Sequence, residues 1–167
     1  MPATYEPIAT TTLGSAAANI QFTSIPATYT DLVVTLVVNT TSVDARGVRC
    51  TFNSDTGANY SATRLQGDGA AAASTRSTGQ SNIPLTLNAT TSTTIPTFYQ
   101  FNVFSYAGST YKTVLAMGNA DKNGSGVVDR TVGLWQSTAA INTLNITLNS
   151  GNFNTGTIAT VYGVKSA

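Results

Sequence analysis

The sequence predicts an all-β fold, an antiparallel β-sandwich of jelly-roll type built from about ten short strands. Three observations carry this expectation. The chain holds thirty threonines, while charged residues make up only 9% of its 167 positions and apolar residues 41%. β-branched side chains suit a pleated surface, and a chain poor in Lys and Glu lacks the usual helix formers. No long window shows the i, i+3, i+4, i+7 stripe of an amphipathic helix. Apolar alternation instead recurs in short runs separated by Gly, Asn, Ser and Thr.

Taken in order, the runs begin with NIQFTS (19–24), after a segment of small residues. DLVVTLVV (31–38) is almost continuously apolar, which predicts a strand covered on both faces. GVRCTFN (47–53) and YSATRLQG (60–67) flank the polar stretch NSDTGANY. IPLTLN (83–88), TFYQFNVFSY (97–106), YKTVLAMG (111–118) and VVDRTVGLW (127–135) follow. INTLNITLN (141–149) alternates cleanly, with Leu144, Ile146 and Leu148 against Asn145, Thr147 and Asn149, so one face should be wet. TIATVYGV (157–164) closes the set. Ile25-Pro26 and Ile95-Pro96 each precede an apolar run, where proline costs no ladder hydrogen bond. The whole chain, 1–167, reads as a single sandwich domain. Residues 1–18 are expected to form an extended N-terminal arm, since Pro2 and Pro7 favour extended chain. GDGAAAASTRSTGQ (67–80) is expected to be an exposed loop, because its small residues bury little.

Charge and composition exclude several functions. The net charge is +1 and the basic residues form no run, so nothing draws a phosphate backbone. LVVTLVV (32–38) is too short to span a bilayer, and the N-terminus lacks the basic and apolar regions of a secretory signal. Cys50 stands alone and no histidine is present, so neither a disulfide framework nor a Cys–His nucleophile is expected. Cys50 reads as a small core residue.

Three motifs suggest chemistry. Asp55-Thr56-Gly57-Ala58 spells the aspartic-protease signature, in which two carboxylates share one proton. Here polar Asn53 and Ser54 precede the Asp, and no second such motif exists. The favoured reading is a type I turn over Ser54, Asp55, Thr56 and Gly57, joining two strands as a hairpin. Asp121, Asn123, Ser125, Gly126 and Asp129 fall at the first, third, fifth, sixth and ninth positions of a calcium loop, but Val132 occupies the place of the bidentate Glu. A structural calcium is therefore a weak candidate and a polar hairpin loop the simpler reading; no metal or other cofactor is expected. Tyr60, Arg64, Arg76 and Trp135 are candidates for an interface or for glycan contact, as are Tyr106 and Tyr111 for stacking on sugars.

The runs FTSIPATYTDLVVTL, RCTFNSDTGANYSATRLQGDG and TGTIATVYGVK resemble a family of small virion proteins of tailed bacteriophages, those of marine and cyanobacterial hosts in particular. The matching positions are Phe22, Ile25, Pro26, Tyr29 and Leu32, then Phe52 to Ser61, then Gly156, Thr157, Tyr162 and Gly163. The resemblance implies a non-enzymatic virion component, assembled in the host cytoplasm. Capsid decoration (cement) comes first, since the chain carries no fibre repeat; a head or tail fibre or receptor-binding module recognising host glycan is the alternative. The implied partners are the major capsid protein or other virion proteins and further copies of the chain, as a trimer or dimer, with no nucleic acid and no membrane.

Overall fold

The computed structural model describes residues 4–41, 47–86 and 95–165. Among the described residues there are twelve strands and no helix: β1 (Tyr5–Thr12), β2 (Asn19–Phe22), β3 (Asp31–Val38), β4 (Val48–Phe52), β5 (Tyr60–Gly67), β6 (Ala72–Gln80), β7 (Ile83–Pro84), β8 (Thr97–Phe104), β9 (Lys112–Asp121), β10 (Gly126–Trp135), β11 (Leu144–Leu148) and β12 (Ile158–Val164). Eight form one sheet in the order β1-β12-β3-β8-β9-β10-β5-β6, and four form a second, β2-β11-β4-β7. All pairings are antiparallel. The all-β, two-sheet class is thus as the sequence predicts. The division into eight and four strands is not the eight-strand double Greek key of a jelly roll, so that finer form is not established.

The core lies between the sheets and follows the period-two alternation of each strand. Ile20 and Phe22, Val48, Cys50 and Phe52, and Leu144, Ile146 and Leu148 project inward from the small sheet. Leu32, Val34, Leu36 and Val38, with Tyr99, Phe101 and Val103, meet them from the large one. Burial pushes the Cys50 thiol far up, so it behaves as an inert apolar residue. Ile25 and Ile95 lead into β3 and β8, which are neighbours at the centre of the large sheet.

Two expectations are corrected at the sheet margins. Residues 5–12 are not a free arm: β1 pairs along its length with β12, and Lys165 Nζ clips Glu6 Oε1 at 2.8 Å. Residues 1–3 of that segment lie outside the described residues. The expected loop 67–80 is a tight turn, in which Asp68 Oδ1 accepts from the amides of Ala70 and Ala71, followed by the nine-residue edge strand β6. Small side chains hid β6 because it forms through backbone pairing with β5 and buries almost nothing. Residues 87–88 of the expected strand 83–88 lie outside the described residues, and β7 is Ile83–Pro84.

Candidate functional site

The stretch around Asp55 does not close a hairpin. β4 belongs to the small sheet and β5 to the large one, so residues 53–59 carry the chain across the end of the sandwich. The turn also sits two residues earlier than expected, over residues 52–55. Asp55 N donates to Phe52 O at 2.8 Å, and Asn53 and Ser54 both have positive φ, 51° and 57°. Two left-handed central residues make a mirror-image turn in place of type I. Asn53 then anchors a neighbouring loop: its Oδ1 accepts from the amides of Asn142 and Thr143, and its Nδ2 donates to Ala140 O.

Asp55 is fully engaged. Oδ1 accepts from Gly57 N at 2.8 Å, and Oδ2 accepts from Trp135 Nε1 at 2.7 Å and Asn59 Nδ2 at 3.0 Å. The Tyr60 hydroxyl donates to Asp55 O at 3.0 Å and accepts from Phe52 N at 3.1 Å. Trp135, Tyr60 and Phe52 form one aromatic cluster, with Trp135 stacked on Tyr60 (6.3 Å, 16°) and tilted against Phe52 (5.5 Å). The Trp135 hydrogen bond, helped by those from Gly57 and Asn59, holds the Asp55 carboxyl below its ordinary range against the opposing effect of burial. This is a fixed anion that ties three rings and a crossing together, whereas a protease dyad needs a carboxyl that shares a proton.

The sign of the pH effect follows from that depression. Stability from the Asp55 contacts is complete above the unfolded value near 3.8 and is lost as pH falls through the lower folded value. Asp55→Asn is therefore expected to be less stable than the parent chain at neutral pH, with the gap narrowing below pH ~4. Urea midpoints measured across that range check it; a gap that widens in acid contradicts it.

The other candidate residues are dispersed. Tyr60, Trp135 and Tyr106 are buried, so they offer no platform to a sugar; Tyr111 is exposed. Arg64 is buried too, with Nη1 3.7 Å from Oδ2 of Asp129, itself fully buried. Only Arg76 of the four interface or glycan candidates lies in the open, on β6, where Nε donates to Thr63 Oγ1. The calcium pattern is not assembled. Asp121 ends β9 and its Oδ1 accepts from Asn123 N at the β9–β10 turn. Asp129 lies three ladder steps in and faces the interior, so the carboxylates project from opposite faces of the sheet. Among the described residues no group of three or more His, Cys, Asp or Glu could hold a metal.

What the structure brings together is a surface. Facing residues in an antiparallel ladder project from the same side, so the registers define rows across the outer face of the large sheet. One row runs Thr63, Val132, Leu115, Asn102, Val33. Another runs Val128, Asn119, Phe98, Val37, Ile158. Leu65, with Arg130 opposite it, stands between the two rows. Val128 is 63% exposed, Leu65 57%, Val132 45% and Leu115 44%. Phe98, Phe104, Val37 and Ile158 are exposed as well. β10 is inverted relative to an ordinary surface strand: Val128, Val132 and Leu134 point out while Asp129 and Thr131 point in. The outer face of the small sheet is the opposite, with Asn19, Gln21, Arg49, Thr51, Asn145 and Thr147. Sequence reasoning missed the apolar face, although the alternation Val128, Val132, Leu134 against Asp129, Thr131, Gly133 was legible.

Compared with known proteins, no family model matches the chain and no curated protein matches it significantly.

Proposed function

We propose that this chain is a non-enzymatic structural component of a bacteriophage virion, a capsid decoration protein that stabilises the head through contacts between subunits. The observation that carries the reading is the outer face of the large sheet. On it Leu65, Leu115, Val128 and Val132 stand exposed on three adjacent strands, interspersed with Thr63, Asn119 and Arg130. Exposed apolar patches of that extent mark interaction sites. The nearly continuous apolar run of β3 predicts a strand covered on both sides; on this face Val33 is buried, yet Val37 is 37% exposed, as a chain separated from its partner would leave it. The residues that looked chemical serve the fold: Asp55 anchors Trp135, and Arg64 neutralises Asp129. The family resemblance supplies the setting. The mechanism is linkage: contacts made only in the assembled shell lower its free energy relative to the dissociated parts. The major capsid protein and further copies of the chain are the partners this reading requires.

Quantitative mass spectrometry of purified particles tests it. Decoration requires a copy number comparable to that of the major capsid protein, and particles lacking the chain should rupture at lower temperature. Absence from particles, or a few copies at the tail with undiminished heat resistance, contradicts it.

A further inference from the structure

We propose that the outer face of the large sheet is the dimerisation surface of the chain, occupied by the same face of a second copy. The inference rests on the assembly reading in taking this face as an interface, and goes beyond it in naming the occupant. Size is the first argument. Eight strands at spacings of about 4.8 Å, and roughly eight or nine residues long at about 3.4 Å each, outline a face of about 1,000 Å². A stable protein–protein interface takes about 800 Å² from each partner. The face therefore suffices by itself when matched with its own copy, whereas a short peptide would cover a fraction of it.

Charge is the second argument. Among the outward residues of the large sheet the charged side chains are Asp31, Arg76, Asp121 and Arg130. Arg76 lies on the edge strand, Asp31 at the first residue of β3 and Asp121 at the last residue of β9, so Arg130 alone stands inside. A strongly charged partner finds nothing to complement. Two copies bring few like charges together and desolvate little, and an isologous pairing uses one patch twice. Two twisted sheets can stack face to face about 10 Å apart with strands some 30° from alignment, a packing open to two copies of this face.

Strand β6 is the third argument. Eight of its nine residues are exposed, all but Ser77, so it buries almost nothing on either face. A strand supported by backbone pairing alone is marginal. A second copy laid over the large sheet covers Leu65 and the adjoining part of β6, and gives that end of the sheet the burial it lacks.

The test is sedimentation analysis of the full chain over a wide concentration range. The parent chain should be dimeric. Leu115→Glu and Val132→Glu should each weaken the dimer by ~100-fold or more, since a two-fold interface buries the added charge twice. Both side chains are solvent-exposed in the single chain, so the circular dichroism and melting of the monomer should be unchanged. Gln21→Glu adds the same charge to the small sheet and should leave the dimer intact. A chain that is monomeric throughout overturns the proposal. So does a dimer indifferent to Leu115→Glu and Val132→Glu but broken by Thr75→Pro, because it pairs through the β6 edge. A monomeric chain abundant in particles removes the dimer and spares the decoration reading; a dimer absent from particles does the reverse.

Discussion

Trp135→Ala is expected to cost about 3–5 kcal/mol, the usual range for deleting a large buried ring. Trp135 is 2% exposed, packs on both Tyr60 and Phe52, and ties the Asp55 crossing to the end of β10. A domain of this size is typically stable by about 5–15 kcal/mol, so the loss removes a large share of the total. At about 2–4 °C per kcal/mol the melting temperature should fall by roughly 10 °C. Trp135→Phe retains most of the buried ring and loses the indole donor to Asp55. It should cost about 1.5–3 kcal/mol, the range for a hydrogen bond to a charged group. Urea unfolding of both variants checks the ordering. A Trp135→Phe variant as stable as the parent chain would mean that the indole–carboxylate bond contributes nothing.

Arg64→Ala is expected to have an effect of similar size for a different reason. Asp129 is wholly buried and Arg64 is 6% exposed, so removing the guanidinium breaks a buried ion pair from one side, at about 3–5 kcal/mol. The pair itself need not stabilise, because desolvating both ions opposes their attraction. Arg64→Met combined with Asp129→Asn should therefore recover at least half of the loss. A double variant as unstable as the sum of its parts would show that the two residues act independently.

Much of the fold was legible because burial and alternation agree. DLVVTLVV and YSATRLQG are strands over the residues expected, and INTLNITLN has its apolar face inward and its Asn and Thr outward. The margins were hidden for a physical reason. β1 and β6 are edge strands held by ladder hydrogen bonds, and their Thr, Ser and Ala side chains leave no burial signature. The crossing at Asp55 was misread because a turn sequence says nothing about which sheet the next strand joins. Its left-handed residues are also Asn53 and Ser54, where glycine was sought as the turn marker. The buried arginine could have been found: Arg64 shares a face with Tyr60 and Ala62 by simple alternation, as Asp129 does with Trp135. The strongest functional signal, the apolar outer face, lay in the same alternation. It becomes visible only when the ladder registers show that the apolar residues of several strands stand together on the side away from the core.

The central claim is that the outer face of the large sheet is an interface in the assembled particle. A cryo-electron map of the intact particle tests it most directly. The account predicts many copies on the head, with Leu65, Leu115, Val128 and Val132 packed against protein. Copies found only on the tail, or copies on the head whose large sheet faces solvent, would contradict it.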